Sequence, residues 1–161
     1  MALRRDALAG ASSLALTADK PIDAPDAGGQ SRHTVKQVFV VDDSKVMREM
    51  IVACLRPEAE LVFTHGASGL EAIEKLSLQR FDILILDLNM PDIGGIEVVD
   101  FVRAQDTLRE LPIIVVTTRG DEASRTRALR AGASRFMTKP FTPEALLSEV
   151  RALLGLESAK L

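Results

Sequence analysis

Asp87 closes the run Phe81-Asp82-Ile83-Leu84-Ile85-Leu86, and the adjacent acids Asp42 and Asp43 close an earlier run, Gln37-Val38-Phe39-Val40-Val41. A strand buried on both faces of a parallel sheet reads as an unbroken β-branched and leucine stretch, so an acid that ends one emerges at the carboxyl edge of the sheet. Ligand sites in open α/β sheets lie along that edge. Two acidic strand ends side by side would gather three carboxylates within a few ångströms. Their mutual repulsion favours a hard divalent cation, Mg²⁺ above all, or a proton.

Each residue also has a plainer use. Asp42 or Asp43 alone could cap the helix that follows. Asp87 alone could be a solvated turn residue, and Lys139, after the short run Arg135-Phe136-Met137-Thr138, could be a surface lysine whose stem snorkels. Thr117 needs no explanation beyond being β-branched at a strand end. Asp92, in the turn before Gly94-Gly95, reads as structural, and neither His33 in the leading segment nor His65 just after the second strand reads as a ligand or base. The pattern as a whole, rather than any one member, points to a site.

The elements that must position these residues alternate from Lys36 onward. Strands are expected at Gln37 to Val41, Leu61 to Thr64, Ile83 to Leu86, Ile113 to Thr117 and Arg135 to Thr138. Between them run amphipathic helices. The first carries Met47, Met50, Ile51, Cys54 and Leu55, and the second, capped by Ser68, carries Leu70, Ile73 and Leu76. The third presents Ile96, Val99 and Val102, and the fourth runs from about Asp121 to Ala131 with Gly132 closing it. The last, opened by Thr142-Pro143-Glu144, shows Leu146, Leu147, Val150, Leu153 and Leu154. Right-handed crossovers then give a five-stranded parallel sheet covered on both faces, a three-layer α/β/α fold. The flavodoxin-like order 2-1-3-4-5 would bring strand ends one, three and four together, although periodicity alone does not fix that order.

At 161 residues, 47% of them hydrophobic and 27% charged, the chain has material for one domain with a sizeable core. A formal charge of −3 offers no general attraction to DNA. Arg125 through Arg130, with Arg151, form a cationic stretch that reads first as a solvated helix face and second as a docking surface for an acidic partner. No run approaches the roughly 20 apolar residues of a membrane span, and the alanine-rich opening is broken by Asp6, so neither membrane insertion nor export is expected. Cys54, the single cysteine, leaves no intrachain disulfide and reads as core filler in a reducing, cytoplasmic setting. Residues 1–34, rich in Ala, Asp, Gly, Ser and Pro, are expected to be a disordered tail with at most a weak helix from Ala7 to Thr17. Residues 35–156 are expected to form the domain, and 157–161 its C-terminal end.

Four strings, in this order, carry a family resemblance: Val41-Asp42-Asp43-Ser44, Leu86-Asp87-Leu88-Asn89-Met90-Pro91-Asp92, Val116-Thr117-Thr118 and Phe136-Met137-Thr138-Lys139-Pro140-Phe141. From about Lys36 to Leu154 the chain resembles the receiver domain of two-component response regulators, in its stand-alone, CheY-like form. The resemblance implies a phosphoryl acceptor at Asp87, loaded from a histidine kinase or a histidine phosphotransfer protein. It further implies Mg²⁺ held by Asp42, Asp43, Asp87 and the backbone carbonyl of Asn89, with Asp42 orienting a coordinated water. Lys139, before an expected cis peptide bond to Pro140, would contact a phosphoryl oxygen, and Thr117 would accept the role of switch hydroxyl. Phe136 takes the aromatic switch position, where the best-known chemotaxis receivers have tyrosine, so contacts through that hydroxyl are lost while steric coupling is kept. The implied readout is a protein target on the face of helix 4, strand 5 and helix 5. Asn89 and Arg119 would tune the lifetime of the acyl phosphate, Arg119 by shielding it.

Three functions compete on the sequence. The first is a phosphorelay switch that is not a turnover enzyme, with chemotaxis as one pathway. The second is a receiver-like binding module independent of phosphate, against which the full acidic, threonine and lysine set argues. The third is a haloacid-dehalogenase-like phosphatase, whose nucleophilic Asp is usually followed two residues later by an acid. Asn89 occupies that position here.

Overall fold

The computed structural model describes residues 34–156. The segments expected as tail and C-terminal end therefore lie outside the described residues, apart from Thr34, and so does His33. The elements alternate as β1 (Lys36–Val41), α1 (Lys45–Leu55), β2 (Leu61–Gly66), α2 (Gly69–Leu78), β3 (Ile83–Leu86), α3 (Gly95–Ala104), β4 (Ile113–Thr117), α4 (Glu122–Ala131), β5 (Arg135–Thr138) and α5 (Pro143–Leu154). All neighbouring strands are parallel, in the order β2-β1-β3-β4-β5.

Alternation along the buried strands divides the core into two layers. Phe39, Val41, Leu84, Leu86, Ile113 and Val115 point to one face, where Ala72 and Leu76 of α2, Val98, Val99 and Val102 of α3, and Ala128 of α4 cover them. Val38, Val40, Ile83, Ile85, Ile114 and Val116 point to the other, under Ile51, Val52 and Leu55 of α1 and Leu146 and Val150 of α5. Each strand residue of the interior thus alternates between two dry layers, which is why these strands read as unbroken apolar runs.

The helix starts are set by side-chain caps. Ser44, Ser68, Asp121 and Thr142 accept from the backbone N–H groups of Met47, Glu71, Ser124 and Ala145, and Pro143 stands in the first turn of α5. Neither Asp42 nor Asp43 caps α1; Ser44 does so, which leaves both carboxylates for other partners. Two apolar stripes differ from expectation. Met50 is 44% exposed and Leu70 53% exposed, while Val52 and Ala72 face the core instead. Helical periodicity identifies an apolar face, but its centre is set by the sheet residues it packs against. His65 lies within β2 rather than after it, and its carbonyl accepts from Lys75 Nζ at 2.6 Å. Cys54 is partly buried against the second layer.

Candidate functional site

The register of β1 and β3 builds the site. Val41 is paired with Leu86, so the residues that follow, Asp42 and Asp87, leave the sheet side by side, and the Asp87 N–H donates to the Val41 carbonyl at 3.0 Å. On the far side of β3, Thr117 ends β4 opposite Thr138 of β5, and the Lys139 N–H donates to the Thr117 carbonyl at 2.8 Å. Three strand ends and the end of β5 therefore converge on one patch of the carboxyl edge. Gly95 opens α3 tightly behind it: a Cβ there would overlap the Asp87 carbonyl oxygen and come within 2.7 Å of Leu88 Cα.

Asp42 is 1% exposed and Asp87 6% exposed, whereas Asp43 reaches solvent. One carboxylate oxygen from each of the three lies within 4.8 Å of the others. Lys139 points its ammonium into this cluster, with Nζ 2.6 Å from Asp42 Oδ2 and 3.3 Å from Asp87 Oδ2. Asp42 Oδ1 accepts from the Ser44 N–H at 2.9 Å, and Asp87 Oδ1 from the Asn89 N–H at 3.3 Å. Burial pushes the Asp87 carboxyl above its ordinary value; Lys139 and the Asn89 amide pull it back, and Asp42 adds to the rise.

The donor set fits Mg²⁺. Carboxylates are hard oxygen ligands, and an octahedral ion with ligand distances of about 2.1 Å holds its oxygens roughly 3 to 4 Å apart. Three carboxylate oxygens within 4.8 Å of one another, two of them from buried residues, suit such a shell.

Thr117 is fully buried, and its hydroxyl oxygen accepts from Asn89 Nδ2 at 3.4 Å and from the Arg119 N–H at 3.3 Å. Phe136 is half-buried against the first core layer, with the Arg125 guanidinium 5.8 Å above its ring centroid. The Arg119 side chain lines a cleft with Asn89, Ile96, Glu97 and Arg127 beside the acidic cluster. The Lys139-Pro140 peptide bond is cis. Arg151 does not join the α4 arginines as the sequence suggested: its Nε is 3.0 Å from Glu58 Oε2, tying α5 to the segment after α1.

Arg48 went unnoticed in the sequence. Its Nη1 donates to the Asp42 carbonyl at 2.6 Å, and its buried Nε has no hydrogen-bond partner. The only local signal was its place on α1 one turn beyond the Ser44 cap. Asp92, read from the sequence as a structural turn residue, has a distant partner: its carboxylate accepts from the Gly69 and Leu70 N–H groups.

Known proteins resemble this chain in sequence and fold. The family model of the response regulator receiver domain matches residues 38–151. Chemotaxis protein CheY1 of Helicobacter pylori is 38% identical over 120 residues, covering 74% of this chain and 97% of that protein. Among solved structures, the chemotaxis response regulator CheY4 of Vibrio cholerae matches with a TM-score of 0.69 and 36% identity, over 75% of this chain and all of that one. The receiver domain of the sensor histidine kinase PA1611 from Pseudomonas aeruginosa, solved with a magnesium ion coordinated in its active site cleft, matches with a TM-score of 0.69 and 28% identity, over 74% of this chain and 98% of that one. With the family model matched over most of the chain and relatives more than 30% identical along nearly their whole length, the chain belongs to the response regulator receiver domain family.

Proposed function

We propose that this protein is a phosphorelay switch in which Asp87 accepts a phosphoryl group from a phosphohistidine and a protein-binding face reports its presence. The observation that carries the reading is the buried Asp87 carboxylate, set beside Asp42 and Asp43 and reached by the Lys139 ammonium at 3.3 Å. Phosphoryl transfer asks mainly for positioning and for neutralisation of the equatorial oxygens. An Asp87 carboxylate oxygen attacks phosphorus, the P–N bond to the donor imidazole breaks, and the imidazole leaves with a proton. Asp42, Asp43, Asp87 and the Asn89 carbonyl are the residues that would hold Mg²⁺. Bound there, Mg²⁺ supplies the charge neutralisation that lets a carboxylate approach an anionic phosphoryl group.

Lys139 moves from the acids to a phosphoryl oxygen as a point charge. Thr117 donates its hydroxyl to another phosphoryl oxygen, giving up the contact with Asn89, and the space vacated behind it admits Phe136. Moving a two-state equilibrium from 1:99 to 99:1 takes roughly 5.5 kcal/mol of differential binding. A charge change of about −1 to −2 meeting a lysine, a hydroxyl and a divalent cation is of the right scale. The readout face is α4, β5 and α5, with Phe136 and Arg125 at its centre. Chemotaxis is the pathway proposed, because relatives that match this chain over nearly their whole length carry that name. A cytoplasmic protein without DNA or membrane partners is proposed with it; among the described residues no helix is long and apolar enough to cross a membrane.

Beryllofluoride, a tetrahedral stand-in for the phosphoryl group, tests the switch. Added with Mg²⁺, it should shift the NMR signals of Thr117, Lys139 and Phe136 together in the wild type and leave Asp87→Asn unchanged. A spectrum that does not respond in the wild type would overturn the reading.

A further inference from the structure

We propose that Asp92 is a positioning residue for the phosphoacceptor site: its carboxylate locks the loop between β3 and α3 onto the first turn of α2 and so fixes the Asn89 backbone. The proposal rests on the receiver reading above, because it assigns the purpose of the lock to the Asn89 carbonyl as a Mg²⁺ ligand.

The first-turn N–H groups of α2 fall into two sets. The helix's own leading residue serves Glu71, through Ser68 Oγ at 3.1 Å, and Ala72, through the Ser68 carbonyl at 3.0 Å. Gly69 and Leu70 are served from elsewhere, by Asp92 Oδ1 at 3.2 Å and Oδ2 at 3.0 Å. A single carboxylate thus uses both oxygens on consecutive N–H groups, at the helix end where negative charge is favoured. These N–H groups, Leu70's foremost, hold the Asp92 carboxyl below its ordinary value, so it is charged at neutral pH.

The backbones meet at the same point. A Cβ on Gly69 would overlap the Ile93 carbonyl oxygen and approach the Ile93 Cβ to 2.7 Å, so only glycine lets the loop lie this close to α2. At its other end the loop is closed by the Gly95 N–H, which donates to the Leu88 carbonyl at 3.1 Å. Asn89 lies between these two anchors, its N–H on Asp87 Oδ1. Asp92 and Leu70 are both exposed, so water can take over the Leu70 N–H if the carboxylate is removed, whereas the Gly69 N–H belongs to a buried residue and depends on Asp92. Water cannot replace the tether. The loss therefore falls on the placement of the loop more than on the helix.

The test compares Asp92→Ala and Asp92→Asn with Ser68→Ala, which removes a cap from the same helix without touching the loop. Mg²⁺ affinity is measured by calorimetry, and protection of the Asn89 amide by hydrogen exchange in metal-free protein. Expected is a loss of about tenfold in Mg²⁺ affinity for Asp92→Ala, the scale typical of residues that orient metal ligands. Faster exchange at Asn89 should accompany it, with Asp92→Asn intermediate and Ser68→Ala lowering the melting temperature without either effect. Wild-type affinity and Asn89 protection in Asp92→Ala, or both effects reproduced by Ser68→Ala, would overturn the proposal. Should wild-type protein bind no Mg²⁺, the receiver reading fails, and the exchange measurement still decides whether the lock exists.

Discussion

The ammonium of Lys139 lies closer to Asp42 than to Asp87, at 2.6 Å against 3.3 Å. Among the described residues the lysine is the only cation within ion-pairing distance of either buried carboxylate, so it partly neutralises the cluster. On the proposed function, Mg²⁺ held by Asp42 would compete with Lys139 for that carboxylate and free the lysine for the phosphoryl group on Asp87.

Lys139→Met should expose that competition. Its side chain and that of Asp42 are 10% and 2% exposed, so removing the ammonium leaves a buried carboxylate unpaired, at a cost of about 3 kcal/mol. Urea unfolding in chelating buffer should show the loss. Mg²⁺ should bind the variant more tightly and recover most of the stability, whereas equal or weaker Mg²⁺ binding would contradict the competition.

Asp87 should make the metal-free protein less stable at neutral pH. Its carboxyl is raised above the ordinary value of 3.8, so the folded state binds its proton more tightly than the unfolded chain does. The resulting stability is complete below that ordinary value and is lost as pH rises through the folded one. Asp87→Asn should thus melt higher than wild type at neutral pH in chelator, with the advantage vanishing in acid. Asp92 and Asp121 run the opposite way: their lowered carboxyls contribute stability above 3.8 that is lost as pH falls through their folded values. Melting curves of the three Asp→Asn variants from about pH 3 to about pH 7 separate the two signs.

The fold and the acid cluster were legible because they depend on local signals. Unbroken apolar runs ending in acid, a cap before four of the five helices and short connections specify strands, helices and carboxyl edge together, and the buried carboxylates appear where the runs end. What could not be read depends on contacts far apart in sequence. Met50 and Leu70 satisfy helical spacing yet face solvent, because the sheet beneath α1 and α2 centres the buried stripe on Val52 and Ala72. The Asp92 carboxylate finds Gly69 and Leu70 across 23 and 22 residues, with nothing local to announce it. Arg48 reaches the Asp42 carbonyl only once α1 has folded back on the edge.

Thr117→Ala should separate loading from switching. The hydroxyl takes no part in forming the P–O bond, so the variant should still be phosphorylated. Without it one hydrogen bond of about 1 kcal/mol is lost from the active state, roughly a fivefold shift in the switch equilibrium. The ring signals of Phe136 should then respond less to beryllofluoride than in wild type. An undiminished response would remove Thr117 from the coupling.

Arg119 should set the lifetime of the phosphorylated state. It lines the cleft beside Asn89, and the described residues show no ion pair holding its guanidinium elsewhere. Arg119→Ala should shorten the lifetime several-fold, followed as decay of the phosphorylated protein after removal of donor. An unchanged decay rate would return Arg119 to the role of a solvated residue leading into α4.

The central claim is that Asp87 takes the phosphoryl group with help from a divalent cation. Intact-protein mass spectrometry after incubation with acetyl phosphate and Mg²⁺ tests it most directly. The wild type should gain a single phosphoryl adduct that is absent in chelator and absent in Asp87→Asn. A folded wild type that gains no adduct, or an adduct that persists in Asp87→Asn, would contradict the account.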